Sequence, residues 1–181
     1  MYDYRVGDTI LFKGQGPLFA IFSLLLSLIV PAWRQLAWKP WHMARAVRKV
    51  PGGWLLFDAL VDGVRERFYT DEQLTARTRW YPWLKAIPSQ EYFAEFIQAH
   101  DGKAYDVGIY FWTMAQYIFR HFWNRCIPRL LDDRYTCWEL QDEFDDGLGE
   151  PWNAPYDCVM IVDFLQACQK KGIIGTPYKI T

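Results

Sequence analysis

The sequence predicts an α+β fold. Three observations carry that expectation. In the first half, short alternating runs are punctuated by Gly and Pro; in the second half, apolar residues recur at helical spacing. The composition, 51% hydrophobic and 23% charged, is that of a globular chain. With 181 residues the chain can bury one substantial core and not two, so a single domain over 1–181 is expected.

"DTILFK" reads as a short opening strand. The next 20 residues, "GQGPLFAIFSLLLSLIVPAW" over 14–33, carry no charge, and that length can span a bilayer as a helix. Gly14, Gln15, Gly16 and Pro17 instead read as a turn into the helix and Pro31 as its end. The strongly apolar part, Leu18–Val30, is 13 residues long and suits a buried helix or one lying in a membrane surface. Burial with one edge open at the active-site mouth is the first expectation, surface insertion the second and a spanning helix the third. For insertion, Trp33, Trp38 and Trp41 with Arg34 and Lys39 would form the belt at the headgroups.

"WHMARAVRKV", "WLLFDALVDG" and "VRERFY" then follow as a meander of strands with turns at PGG and DG. "DEQLTARTRWYPWLKAI" admits either a short helix or an edge strand, ended by Pro88. "SQEYFAEFIQAH" is a helix capped by Ser89, with Tyr92, Phe93, Phe96 and Ile97 on its apolar side. After the interruption "DGKAYD", three more helices are expected. They are "VGIYFWTMAQYIFRHFW", "DRYTCWELQDEF" with Cys137 near its first turn, and "YDCVMIVDFLQACQKKG", stopped by Gly172.

Bulk features narrow the function classes. Twenty cations against 21 acids leave a net charge of −1 and no general pull toward nucleic acid. The four cysteines, Cys126, Cys137, Cys158 and Cys168, contain no CxxC pair, which argues against a disulfide framework or a Cys-rich zinc site and for a reducing compartment. "MYDYRVGDTI" has no apolar signal core, so a cytoplasmic location is expected, with membrane association resting on the Leu18–Val30 helix. The aromatic share, 18% with 10 Trp, serves equally a core, a ligand groove or a membrane interface.

Chemistry centres on three residues. A cysteine in the first turn of a helix lies among free N–H groups that favour the thiolate, and Cys137 has that position; Cys158 and Cys168 sit among apolar neighbours as small hydrophobes. A thiol nucleophile needs an imidazole to take its proton and an acceptor to hold the ring. Alternation places His42, Ala44 and Ala46 on one strand face and Trp54, Leu56 and Asp58 on the next. A turn centred near residue 51 sets position 42 opposite about position 60, within reach of Asp58. Read alone, His42 is also compatible with a structural histidine, and Asp58 with an acid capping the loop at Gly63. His100 ends a helix and His121 stands among aromatics, so neither competes strongly.

The opening "VGDTILFKGQG", the apolar helix, the histidine strand, the following acid-bearing strand, "DGKAYD" and "YTCWEL" together resemble the circularly permuted NlpC-type papain-like cysteine hydrolases. That group includes the YiiX-like proteins and is similar in plan to the lecithin retinol acyltransferases. On the resemblance, Gly7 and Asp8 match the opening, His42 the base and Asp58 the third polar position. Gly102, Lys103, Tyr105 and Asp106 match the turn, and Cys137 the nucleophile, with Glu139 and Leu140 after it. Asp58 replaces the commoner Glu or His, Trp138 stands where a small Ser is usual, and Arg45 makes the histidine strand less apolar than the pattern.

The resemblance implies a permuted papain-like fold, a small antiparallel sheet packed against helices that include the nucleophile helix. It implies thiol-based acyl transfer on a peptide, amide or lipid ester bond, with Cys137 attacking, His42 moving the proton and Asp58 orienting the ring. The Cys137 N–H would stabilise the oxyanion, with Tyr135 as the expected second donor. No metal and no organic cofactor are expected. Two other readings remain at this level, an inactive binding module on the same fold and a membrane-associated interaction protein anchored by Leu18–Val30; the oligomeric state is left open.

Overall fold

The computed structural model describes residues 5–29, 34, 38–105, 108, 112, 115, 116, 119, 123, 135–150 and 161–177. Among them the fold is α+β, built on a five-stranded antiparallel sheet. The elements in chain order are β1 (Thr9–Lys13), α1 (Gly16–Ile29), β2 (Pro40–Val50), β3 (Gly53–Leu60), β4 (Gly63–Thr70), α2 (Asp71–Arg77) and β5 (Thr78–Tyr81). They are followed by α3 (Gln90–His100), α4 (Cys137–Gly147) and α5 (Ile161–Lys170).

The meander is adjacent in space as it is in sequence, and the sheet order is β4-β3-β2-β1-β5. The β2–β3 turn is Pro51-Gly52; Gly52 takes φ 80°, which a side chain would resist. The ambiguous stretch after Thr70 resolves into both of its alternatives. Thr70 accepts from the Gln73 N–H at 3.2 Å while the Gln73 side chain accepts from the Thr70 N–H at 2.9 Å, a reciprocal cap that starts α2. The β-branched and aromatic run "TRWY" then leaves the helix as β5 and pairs with β1, forming the second edge of the sheet.

Period-two alternation divides the core. Leu11, Met43, Phe57, Ala59 and Val64 pack with Phe93, Phe96, Leu140, Phe144 and Leu165 of the helical layer. Ile10, Ala44, Ala46, Trp54 and Leu56 pack with Leu74 of α2 and with Trp80 in a second, smaller cluster.

Helix α1 departs from the expectation of burial on most sides. Phe22, Ser23 and Leu26 are buried, but Ile21, Leu24, Leu25 and Leu28 are 60%, 64%, 39% and 68% exposed. Among the described residues it packs through the side that carries Phe19 and Phe22, which stand edge-on to Trp41 at 4.9 and 5.3 Å between ring centroids. Gly14 makes that approach possible, since a Cβ there would lie 2.2 Å from the Phe19 ring. No helix among the described residues is long and apolar enough to cross a membrane. Of the helix expected over 107–123, only Gly108, Trp112, Ala115, Gln116, Phe119 and Trp123 are described; Val30, Pro31, Trp33, Asp106, His121, Cys126 and Cys158 lie outside the described residues.

Candidate active site

His42 stands on β2 opposite Phe12 of β1, whose ring lies 5.4 Å from the imidazole. On the other side β2 pairs with β3 so that Ala44 faces Asp58, which puts Asp58 diagonal to His42. Beside the turn the register is offset by one: Val50 pairs with Gly53 and Arg48 with Leu55, and the shift comes between Ala46 and Arg48. Continued without that bulge, the turn register would set Asp58 opposite Arg45. Alternation would then send His42 and Asp58 to opposite faces. The extra residue in β2 therefore makes the contact possible: His42 Nε2 lies 3.1 Å from Asp58 Oδ2.

Asp58 is fully buried and has three side-chain partners among the described residues. Oδ2 also accepts from the Tyr69 hydroxyl at 2.7 Å, and Oδ1 is ion-paired with Arg67. Arg67 in turn reaches Asp62 Oδ1 at 2.5 Å and the Gly63 carbonyl at 2.8 Å. The loop at Gly63 is thus held by Arg67 and not by an Asp58 cap. Burying a carboxylate without such partners would be costly, and with them its two oxygens are fixed in direction. Tyr69 and Arg67 were legible in principle: β4 alternates Arg65, Arg67, Tyr69, and the Leu60–Gly63 pairing across the DG turn sends that face to Asp58.

Cys137 is the first residue of α4. Thr136 caps the helix, its side chain accepting from the Glu139 N–H at 3.3 Å while Glu139 Oε2 accepts from the Thr136 N–H at 2.8 Å. The approach to this cap is fixed by the 101–105 turn. The Gly102 N–H donates to the Val64 carbonyl at 2.8 Å, the Val64 N–H to the Lys103 carbonyl at 2.9 Å, and the Tyr135 N–H to the Ala104 carbonyl at 3.0 Å. One turn thereby joins the start of β4 to the residue two positions before Cys137. The opening motif is a second brace. Asp8 accepts from the Trp83 and Arg5 N–H groups at 2.9 and 3.1 Å, and the Gly7 carbonyl accepts from Arg45 at 3.0 Å.

The structure sets His42 against both other residues: its ring hydrogen bonds the Asp58 carboxylate at 3.1 Å, and the Cys137 side chain lies close enough to raise its pKa. With Nε2 on Asp58, Nδ1 is the nitrogen left for the sulfur. Burial opposes charge on the ring, but Asp58 first and Cys137 after it outweigh that cost, and the His42 pKa is pushed up to about 9. Such a ring holds its proton beside the sulfur at neutral pH. All three groups are enclosed, Cys137 being 1% and His42 7% exposed.

Tyr135, expected as an oxyanion donor, stands two residues before Cys137 with other partners at its hydroxyl. Its hydroxyl accepts from Lys103 Nζ at 3.2 Å and lies near Glu143, and its ring stands edge-on to His100. His100 bridges the Phe96 carbonyl at 2.7 Å and Glu143 Oε1 at 3.0 Å, so this cluster fastens α3 to α4. Arg45, the cation out of pattern on the histidine strand, is buried and does similar work. It donates to Gln141 Oε1 at 2.8 Å and to Asp145 Oδ1 at 2.5 Å on α4, and lies over the Phe144 and Trp83 rings.

Cys168 is fully buried, and that burial, with Asp145 nearby, pushes its thiol up to about 12. Among the described residues no group of three His, Cys, Asp or Glu is disposed to hold a metal ion. A cavity of about 490 Å³ between α3 and the sheet is lined by Val47, Arg48, Glu66, Phe93, Ile97 and Asp101 among others, and by none of the three converging residues. The geometry of His42 and its two partners, not the size of that cavity, marks the candidate site. No known protein family matches the chain, and no curated protein or solved structure matches it either.

Proposed function

We propose that the protein is a thiol-dependent acyl hydrolase or acyltransferase of the circularly permuted papain-like type. The observation that carries this reading is a single buried imidazole shared between a carboxylate and a cysteine at a helix N-terminus. The Cys137 sulfur attacks the carbonyl carbon of a peptide, amide or lipid ester. His42 holds the thiol's proton and passes it to the departing amine or alcohol as the acyl–sulfur bond forms. Water, or a second nucleophile in the transferase case, then gives a proton to His42 and attacks the acyl thioester, releasing Cys137. Asp58 keeps the ring oriented and its charged form favoured. The Cys137 N–H, unpaired within the first turn of α4, is the donor closest to hand for the oxyanion.

An acyl-activated thiol probe near neutral pH tests the proposal, with the adduct located by peptide mapping. Label is expected on Cys137 and not on Cys168, absent in Cys137→Ala, and slower by about 10²–10⁴ in His42→Ala. Labelling that is indifferent to His42 would overturn the catalytic reading. A folded protein that never acylates would be a binding module, an outcome the enclosure of Cys137 makes worth reading out.

A further inference from the structure

We infer that the outer face of α1 docks the protein on an anionic lipid surface. Ile21, Leu24, Leu25 and Leu28, spaced at three, four and seven residues, form one stripe on the side of the helix that no other described element covers, each between 39% and 68% exposed. At 1.5 Å per residue the helix is about 21 Å long, short of a hydrocarbon core of about 30 Å, so the geometry is that of a helix lying in the surface.

Charge decides which occupant fits this face. From Thr9 to Phe57 the chain contains no acidic residue, yet it holds Lys13, Arg34, Lys39, Arg45, Arg48 and Lys49, six of the chain's 20 cations and none of its 21 acids. Arg45 is spent on Asp145 and Lys49 on Asp71. Lys39 and Arg34 close around the C-terminal turn of α1. Lys39 Nζ donates to Ser27 Oγ at 2.9 Å and Arg34 Nε to the Ser27 carbonyl at 2.8 Å, while Arg79 lies over the Trp38 ring beside them. Lys13 is exposed just before the helix. None of Lys13, Arg34 and Lys39 forms an ion pair with a described residue.

An aliphatic stripe rimmed by cations and an indole is complementary to acyl chains beneath negative headgroups. A second copy of the chain would bring two such cationic rims together, which disfavours self-association through this face. The docking stands independently of the thiol chemistry, and Cys137→Ala is expected to dock unchanged.

Co-sedimentation of the full chain with phosphatidylcholine vesicles, with and without phosphatidylglycerol, tests the inference. Binding to the anionic vesicles is expected, about tenfold or more weaker on phosphatidylcholine alone and reduced by added salt. Leu24→Gln/Leu28→Gln changes only exposed positions; it is expected to abolish binding while leaving the circular dichroism spectrum and Cys137 labelling as in the parent. Arg34→Gln/Lys39→Gln is expected to remove the preference for anionic vesicles. The inference is overturned if the parent stays in the supernatant with both vesicle types, or if the leucine variant binds like the parent. It is equally overturned if the parent is a dimer that the leucine variant dissociates.

Discussion

At the scale of single residues, His42 is where the chemistry and the packing meet. Burial would favour a neutral ring, and Asp58 and Cys137 reverse that preference. In the proposed mechanism the protonated ring is the acid that releases the leaving group, so the rate of acyl transfer should fall as pH rises through about 9. Asp58→Asn removes a hydrogen bond and a negative charge that hold this proton. Its alkaline limb should move to lower pH, together with a loss in rate, and pH–rate profiles of the two proteins check this. An alkaline limb that stays in place would show that Asp58 does not set the charge of the ring. Tyr69→Phe tests the opposite sign: it removes a competing donor to Asp58 Oδ2 and leaves Arg67 and His42 in place, so the alkaline limb should not move to lower pH.

At the scale of elements, β2 does two things. Its bulge near Val47 brings the histidine face into register with Asp58, and Arg45 ties the strand to the nucleophile helix α4. The tie is a buried ion pair, and Asp145 Oδ2 has no hydrogen-bond partner among the described residues. Burial, with Asp142 adding to it against the pull of Arg45, pushes the Asp145 carboxyl up to about 7. Arg45→Met should therefore destabilise the fold by about 3–5 kcal/mol, since it strands one partner of a buried pair. The loss should grow above neutral pH, where Asp145 would otherwise ionise. Adding Asp145→Leu should recover most of it, and urea denaturation of the two single variants and the double closes the cycle. A strictly additive cycle would mean that the pair does not couple β2 to α4. The α4 cap is a smaller, separable contribution: Thr136→Ala should cost about 1 kcal/mol.

At the scale of the whole molecule, the buried titratable groups make stability fall toward alkaline pH. The His42 pKa is raised from 6.5 to about 9, so its contribution is complete below 6.5 and lost as pH climbs through 9. Asp145, raised from 3.8 to about 7, prefers to be neutral in the fold, so its effect also declines as pH rises across that interval. Cys168, Tyr92 and Tyr135, each pushed up to about 12 with burial as the largest cause, extend the loss at higher pH. Glu143 works the other way: His100 holds it below the usual carboxylate range, and its contribution fades as pH falls. The urea midpoint should be higher at about pH 6 than at about pH 9, and His42→Gln should narrow the difference. A midpoint that does not fall between those values would contradict the burial of the ring against Asp58 and Cys137.

Local pattern was enough for most elements, because their signals are local. Alternation in 40–60, the Pro-Gly turn, the Ser89 cap and the run after Thr136 each report a backbone preference or an amphipathic face within a few residues. Period-two spacing also set His42 and Asp58 on facing strands, and the position after Thr136 set Cys137 at a helix start. The stretch after Thr70 was ambiguous because its helix and its strand are each too short to show a period. What no local pattern could decide depends on residues far apart in the chain. The bulge that aligns His42 with Asp58 is a property of two strands at once. The fate of Arg45 depends on α4, a hundred residues away, and that of the Tyr135 hydroxyl on Lys103 in the turn that follows α3. An all-round apolar helix such as α1 must be covered somewhere, but which side the protein covers follows from where β2 places Trp41. Hydrophobicity measures the need for burial, and only the packed neighbours determine how much of that need the protein meets by itself.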